Sequence, residues 1–258
     1  MSIRGSDNFF TPAEAAARYA RGRPYFHGRV IERIQHRLQL GWPVSRALDV
    51  ACGTGLSTVA LKPLARRIVG TDISEEMIAR APVDPHITYV VAPAEHLPFP
   101  DAHFDLLTLS SALHWLDAPA FFQEAKRVLH RDRYLAVYDN VFLGATEGNP
   151  TFQARVTQDY LSRYPSPPRT QVTLPATAEA EGLEYVGGER YENVVKFSLG
   201  RLVDYLVTQS NVMATVEGGH ESIGEVRAWL TQTAAPFFGG DEELSFLFAG
   251  PIWYFRRP

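Results

Sequence analysis

This chain lacks several features that identify whole classes of protein. One cysteine in 258 residues excludes an internal disulfide and a cysteine-based zinc site. No run of Lys or Arg exceeds a pair and the net charge is −4, so we expect no nucleic-acid partner. No stretch of about 18 uninterrupted apolar residues occurs, and no apolar stretch follows the first charges, so we expect neither a membrane span nor a secretion signal.

The histidines and the overall composition are those of an ordinary globular protein. The eight histidines have no metal-ligand spacing such as His-x-x-x-His, so we predict no metal site. The chain is 45% hydrophobic and 21% charged, near the average for globular proteins. Its length favours one domain with an insertion over two domains. We therefore expect a cytoplasmic protein with a single domain over 1–258, as a monomer or a homodimer.

Strand-like and helix-like segments alternate through the first half of the chain. Apolar runs predict strands up to Val50 and then at 67–71, 87–91, 104–110 and 134–138. Strands joined by helices in this order require a parallel sheet with helices on both faces. The sequence therefore predicts an α/β protein with a doubly wound, Rossmann-like sheet.

Two helices are predicted before the first strand. The first covers 11–22, with Thr11 as its N-cap and a proline at its first turn. The second covers 28–40 and has one apolar stripe. We treat 1–40 as an N-terminal helical segment.

The alternation of strands and helices lapses after Asp139. Residues 141–180 include a proline-rich stretch that does not suit a sheet, and we interpret them as an inserted lid. Beyond the lid, strands are predicted near 189–197 and over 244–255, with helices between them.

A glycine-rich turn follows the first predicted strand. Asp49 comes just before Gly53 and Gly55, where the backbone can turn sharply and approach a ligand. Asp72 ends the second strand 17 residues beyond Gly55. This is near the spacing of about 20 residues at which an α/β fold presents a carboxylate to a ribose. The pattern predicts a site for a nucleoside cofactor.

The residues missing from this turn indicate which nucleoside it binds. A dinucleotide motif has a third glycine where this chain has Thr58, and a phosphate-binding loop has a lysine closer than Lys62. The carboxylate of Asp49 would repel a pyrophosphate but attract an ammonium or a sulfonium. S-adenosylmethionine carries both of these cations.

The motif around the turn also resembles a known family. The run from Asp49 to Gly55 with Asp72, the Ala94-Glu95 pair and the segment 112–117 resemble class I S-adenosylmethionine-dependent methyltransferases. Within that family the chain is similar to the small-molecule branch that includes trans-aconitate methyltransferase-like proteins. The resemblance implies S-adenosylmethionine as cofactor, S-adenosylhomocysteine as product, a small-molecule acceptor and an antiparallel last strand.

The resemblance also implies which residues contact the cofactor. The N-terminal segment would fold over its methionine end, with Arg23 meeting the carboxylate and a tyrosine lining the sulfonium. Ala94 and Glu95 would lie near the adenine, although Pro93 replaces the aspartate that many relatives carry there. The full set of predicted cofactor residues is Tyr19, Arg23, Tyr25, Asp49, Ala51, Gly53, Gly55, Asp72, Ile73, Met77, Ala94, Glu95 and Ser110.

His114 is the predicted catalytic residue. It follows the fourth strand, and an unperturbed histidine pKa of roughly 6.5 suits proton removal near neutrality. The alternative is that it only packs between cofactor and helix. If the acceptor is a carboxylate, no base is needed. Acceptor specificity is predicted to come from the lid, the N-terminal segment and aromatic residues that could equally be core: Phe9, Phe10, Phe142, Phe152, Tyr160, Trp229 and Trp253.

Three other functions compete with small-molecule methylation. Methylation of nucleic-acid amino groups usually requires Asn/Asp-Pro-Pro-Tyr/Phe after the fourth strand, where this chain has Ser110-Ser111-Ala112. A nicotinamide oxidoreductase is disfavoured by Thr58 and Asp49. A regulatory or scaffold protein that binds the cofactor without catalysis is the remaining alternative. The intact Asp49, Gly53, Gly55 and Asp72 argue against it, because a relic that no longer binds would have no reason to keep them all.

Overall fold

One mixed sheet of eight strands forms the centre of the molecule. The computed structural model describes residue 9 and residues 12–146, 150–154, 158–239 and 243–258. The strands are β1 Val44–Val50, β2 Ala65–Asp72, β3 Ile87–Val91, β4 Phe104–Ser110, β5 Leu129–Tyr138, β6 Val141–Thr146, β7 Glu184–Phe197 and β8 Leu244–Arg256.

Helices surround this sheet, and most of them connect successive strands. The helices are α1 Ala13–Gly22, α2 His27–Leu38, α3 Leu56–Ala60, α4 Glu75–Ile78, α5 Ala118–Val128, α6 Pro150–Phe152, α7 Gln158–Arg163, α8 Ala176–Ala180, α9 Leu199–Leu206, α10 Ser210–Glu217 and α11 Ile223–Ala234. Helix α1 begins after Pro12, and the predicted cap Thr11 lies outside the described residues. Helix α2 ends at Leu38 because Gln39 adopts a left-handed conformation.

Five strands form the parallel part of the sheet. They lie in the order β3-β2-β1-β4-β5, and every neighbouring pair is parallel. Because the chain moves outward from β1 to β3 and then returns to β4, the direction of winding reverses between β1 and β4. Ligands of open α/β sheets bind at the carboxyl ends of the strands at such a reversal. The predicted doubly wound sheet is confirmed.

The antiparallel part of the sheet is built around β8. Strands β5, β6 and β7 all pair with β8 in antiparallel fashion. Tyr138 of β5 lies opposite Ile252, and Val141 of β6 lies opposite Ala249, so β5 and β6 follow one register along the same edge. The antiparallel last strand is therefore confirmed, and the first six residues of the predicted lid pair with the sheet.

Side-chain alternation along β1 explains the two layers of helices. Leu48 belongs to an apolar cluster with Phe121 and Phe122 of α5, whereas Ala47 belongs to a second cluster with Ile34 of α2. Successive strand residues point to opposite faces, so one strand supports both layers. Within the described ranges, no helix is both long enough and apolar enough to cross a membrane.

Candidate functional site

The turn after β1 has a backbone that favours glycine. Gly53 has a φ of 55° and Gly55 a φ of 79°, in the left-handed region. A Cβ on Gly55 would lie 2.5 Å from the hydroxyl oxygen of Tyr89. Gly55 thus closes the turn against the Tyr89 ring of β3, and α3 begins at the next residue.

Asp72 joins the end of β2 to this turn. One carboxylate oxygen accepts a hydrogen bond from the Gly53 N–H at 2.8 Å and the other from the Ser74 N–H at 2.9 Å. Burial raises the pKa of Asp72, and these backbone hydrogen bonds oppose that rise. An ionised carboxylate has about four lone-pair sites, so Asp72 can still accept a hydroxyl group of a ligand.

Asp49 lies beneath the turn and has no exposed surface. Its carboxylate accepts hydrogen bonds from three hydroxyls, those of Ser57 at 2.6 Å, Thr58 at 2.7 Å and Thr108 at 2.8 Å. Burial raises the pKa of Asp49 to about 6. Asp49 ties β1 to α3 and β4 and does not line the cavity, so contact between this carboxylate and a cofactor cation stays a prediction. Thr58, read from sequence only as a missing glycine, is one of its partners.

A cavity of about 530 Å³ opens beside the turn, at the carboxyl ends of β1, β2, β4 and β5. Most of the predicted residues line it: Tyr19, Arg23, Ala51, Gly53, Asp72, Ile73, Met77, Ala94, Glu95, Ser110 and His114. Asp49, Gly55 and Tyr25 do not. Tyr25 is 57% exposed, and its ring meets the edge of His27 instead, with ring centroids 5.9 Å apart.

The N-terminal segment contributes Tyr19 and Arg23 to the cavity. Helix α1 packs closely on α9, since a Cβ on Gly22 would lie 2.1 Å from the carbonyl oxygen of Asp204. The guanidinium carbon of Arg23 lies 4.5 Å from the centroid of the Tyr19 ring, and Nη2 donates to the Thr208 carbonyl at 3.1 Å. Its Nε is buried without a hydrogen-bond partner in the described part of the chain. An unused, buried guanidinium donor fits a carboxylate such as that of a bound methionine moiety.

The region predicted to hold adenine lies after β3. Pro93, Ala94 and Glu95 all line the cavity. Glu95 Oε1 accepts a hydrogen bond at 2.9 Å from the N–H of Asp117, the N-cap residue of α5. The Glu95 carboxylate is therefore held in place at the cavity wall and retains acceptor capacity.

Several cavity residues were not predicted from the sequence. Asp139 follows β5 and Arg169 follows the proline-rich stretch. Nη2 of Arg169 donates to Ser210 Oγ at 2.7 Å, and its guanidinium carbon lies 5.6 Å from the centroid of the Trp115 ring. Asp139 comes directly after a strand, at the same edge as Ser110, so the strand-end rule could have found it. No sequence signal marks Arg169.

His114 lies close to Arg169. Burial and the positive charge of Arg169 lower the pKa of His114 to about 4, so the imidazole is neutral near pH 7. Burial raises the pKa of Asp139, and the Arg169 charge opposes that rise. We call Ala51, Gly53, Asp72, Ala94 and Glu95 the turn side of the cavity, and His114, Trp115, Asp139, Arg169 and Ser210 the Arg169 side.

The aromatic residues predicted to contact the acceptor divide into two groups. Phe9, Phe142 and Tyr160 line the cavity. Phe152, Trp229 and Trp253 belong to or pack against apolar clusters, and Phe10 lies outside the described residues. The described ranges contain no group of three or more His, Cys, Asp or Glu side chains that could hold a metal ion.

The chain resembles known methyltransferases in sequence over part of its length. Residues 48–137 match the family described as a methyltransferase domain. The uncharacterized methyltransferase sll0829 of Synechocystis sp. is 40% identical over 90 residues, which are 34% of this chain and 42% of that protein. The chain spans 39% and 42% of the length of two curated relatives that it matches.

Solved structures share the fold over nearly the whole chain. A protein of Anaeromyxobacter dehalogenans, assigned as a type II methyltransferase, has a TM-score of 0.70 at 24% identity and covers 91% of this chain and 98% of its own. The [4+2]-cyclase SpnF has a TM-score of 0.61 at 19% identity, over 98% of this chain and 96% of its own. These two likenesses show the fold alone.

The domain match, the order of the strands and the acidic, glycine-rich turn point to one family. The cofactor of that family is S-adenosylmethionine, and which residues of this chain contact it stays a prediction. The narrower resemblance to trans-aconitate methyltransferase-like proteins stays a prediction. Residues 48–137 match a methyltransferase domain family, and the sheet and glycine-rich turn around them are those expected of class I S-adenosylmethionine-dependent methyltransferases.

Proposed function

We propose that this protein moves a methyl group from S-adenosylmethionine to a small-molecule acceptor by in-line displacement. The observation that carries the proposal is a single cavity in which the turn side and the Arg169 side meet. Its volume of about 530 Å³ lies within the range of roughly 300–1,000 Å³ that is usual for small-ligand sites. With the cofactor in place, the remaining room suits a small acceptor.

The turn side and the N-terminal segment would hold the cofactor. Asp72 would accept hydrogen bonds from the ribose hydroxyls, and Arg23 would bind the methionine carboxylate beside Tyr19. The other predicted contacts are Ala51 and Gly53 at the methionine end, Ile73, Met77, Ala94 and Glu95 around the adenosine, and Ser110. Bound there, S-adenosylmethionine supplies a methyl group that its sulfonium already activates.

The chain's own part in the reaction is alignment and proton transfer. The cavity walls hold the acceptor's lone pair in line with the methyl carbon and exclude water. A new bond forms to that carbon as the carbon–sulfur bond breaks, with its electron pair going to sulfur. For a hydroxyl or amine acceptor, neutral His114 can take the released proton at a ring nitrogen, and Asp139 is a second candidate base.

Two flanking segments would complete the acceptor site. Phe9, Tyr19 and Arg23 of the segment 1–40 line the cavity, as do Tyr160 and Arg169 of the segment 141–180. These contacts support an acceptor-binding lid formed by 141–180 within one domain over 1–258. The single, buried Cys52 is consistent with a cytoplasmic protein, which we propose as a monomer or homodimer.

Calorimetry and a transfer assay test this proposal. We expect S-adenosylhomocysteine to bind, and transfer of labelled methyl groups to at least one member of a panel of small acids, phenols and amines. Failure to bind S-adenosylhomocysteine would reject the proposal. Binding without turnover over the whole panel would favour a cofactor-binding protein without methyltransferase activity, an alternative that the shared fold with a [4+2]-cyclase keeps open.

A further inference from the structure

The cavity holds two arginines, and only one of them is used by the proposed function. The charged residues in its lining are Arg23, Asp72, Glu95, Asp139 and Arg169. Both oxygens of Asp72 and one of Glu95 accept backbone hydrogen bonds, and the proposed function pairs Arg23 with the methionine carboxylate. Arg169 has no carboxylate within 4 Å among the described residues. Its charge is therefore available to a ligand.

Three contacts hold Arg169 at the cavity wall. Its Nη2 donates to Ser210 Oγ, whose residue is 6% exposed at the start of α10. The guanidinium also lies over the Trp115 ring, at a distance suited to a cation–π interaction. The N–H of Thr170 donates to the His114 carbonyl at 3.2 Å and so ties the backbone next to Arg169 to the segment after β4. These contacts orient the guanidinium before any acceptor arrives.

The surroundings of Arg169 favour an anion. The Arg169 side chain is exposed because it lies in an open cavity. Enough protein nevertheless surrounds it that partial burial lowers its pKa. Arginine remains charged at neutral pH even so. Its neighbour His114 is neutral there. The positive charge of Arg23 also acts on Arg169, and the attraction of Asp139 acts over more than ion-pair distance. A partly desolvated cation without an ion pair is stabilised when a ligand brings the opposite charge.

We propose that Arg169 binds a carboxylate of the methyl acceptor, which makes the acceptor a small carboxylic acid. The inference rests on the proposed function, since Arg23 is assigned there to the cofactor. One N–H of the guanidinium bonds Ser210, and the planar fork has further N–H groups to meet the two oxygens of a carboxylate. Arg169 is then the residue that selects acids over neutral molecules of the same shape.

Matched acid and amide pairs test this assignment by binding alone. The protein loaded with S-adenosylhomocysteine is titrated calorimetrically with acetate and acetamide, benzoate and benzamide, and succinate and succinamide. We expect at least one acid to bind about tenfold or more tightly than its amide. In Arg169→Gln this preference should disappear, whereas Arg201→Gln, at an exposed position on α9, should retain it.

The cofactor supplies the second arm of the test. Affinity for S-adenosylhomocysteine should be unchanged in Arg169→Gln and should fall roughly 10-fold or more in Arg23→Gln, the loss typical of a charged hydrogen bond. If Arg169→Gln lowers the affinity for S-adenosylhomocysteine as much as Arg23→Gln does, Arg169 belongs to the cofactor site and the assignment is wrong. It is also wrong if no acid is preferred by the wild type, or if Arg169→Gln keeps the preference. A wild type that binds no S-adenosylhomocysteine would instead overturn the proposed function, and the assignment with it.

Discussion

The turn side and the Arg169 side of the cavity are assembled over very different distances in sequence. On the turn side, Asp72 bonds Gly53 at a separation of 19. Beneath the turn, Asp49 bonds Ser57 and Thr58, which lie 8 and 9 residues away, and also Thr108, which lies 59 residues away. On the other side, the Arg169 side chain bonds Ser210 at a separation of 41. Trp115 and Asp139, which also lie on that side, come from still other parts of the chain. Local sequence can specify the turn itself, from Gly53 to Thr58 with Asp72, whereas its tie to β4 and the whole Arg169 side require the tertiary fold.

The two sides also differ in how completely their polar groups are paired. The buried carboxylate of Asp49 has three hydroxyl donors, and Asp72 has two backbone donors. Arg169 has one hydrogen bond among the described residues. Gly55 and Asp49 are therefore parts of a rigid support, and their substitution should affect stability first, whereas the Arg169 side has a cation that is free to bind a ligand. Substitutions on each side should therefore separate effects on stability from effects on ligand binding.

Gly55→Ala should give the largest loss of stability. An alanine at φ 79° is strained, and its Cβ would meet the Tyr89 hydroxyl at 2.5 Å. Left-handed strain and overpacking together should lower the free energy of unfolding by about 2–5 kcal/mol, measured by urea denaturation. Gly41→Ala is the matched control, since a Cβ there meets nothing within 4 Å. If both variants lower the free energy of unfolding by the same small amount, the turn does not require glycine at position 55.

Asp49→Asn should change how stability depends on pH. Burial raises the pKa of Asp49 from 3.8 to about 6, so the folded protein holds this proton more tightly than the unfolded chain. The resulting stabilisation is present below about pH 4 and is lost as the pH rises through about 6. The unfolding free energy of the wild type minus that of Asp49→Asn should therefore fall by about 2 kcal/mol from pH 4 to pH 7. Urea denaturation across this range measures it, and a flat difference would show that Asp49 does not titrate there.

His114→Ala tests whether the Arg169 side performs chemistry. If the imidazole is the base, kcat should fall about 100-fold, at the lower end for general-base catalysis because a pKa of about 4 makes it a weak base. The wild-type rate should rise with pH through about 4 and then level off, since only the unprotonated ring accepts a proton. His36→Ala, at an exposed position on α2, is the control. Turnover that survives in His114→Ala would assign this histidine to packing.

Asp72→Ala should have the smallest of these effects, and it should appear in cofactor binding. Loss of the carboxylate should weaken the binding of S-adenosylhomocysteine by about 1–3 kcal/mol, the scale of a charged hydrogen bond. Calorimetry measures the affinity, with Glu192→Ala on the exposed surface of β7 as the control. An affinity that does not change would remove Asp72 from the ribose site. A fall in stability alone, at equal affinity, would reduce its role to holding Gly53.

The sequence was sufficient for those parts of the site that depend on backbone pattern. The two glycines, the acid at the end of β2 and the strand order lie where the pattern predicts them, because strand alternation and turn geometry are short-range properties. The sequence could not indicate the direction in which a side chain points. Asp49 faces hydroxyls inside the protein, and Tyr25 is exposed, although both belong to the predicted motif.

The sequence by itself determined the parallel sheet, the sharp turn at Gly53 and Gly55 and the carboxylate of Asp72 beside it. Each of these follows from residues close together in the chain. Only the tertiary structure decided which charged groups share the cavity, since Arg23, Asp139 and Arg169 come from widely separated segments. It also decided the charge state of His114, because burial and Arg169, an arginine far away in sequence but close in space, lower the pKa of this histidine. Solvation and Coulomb interactions depend on distances in space, which no local pattern of residues records.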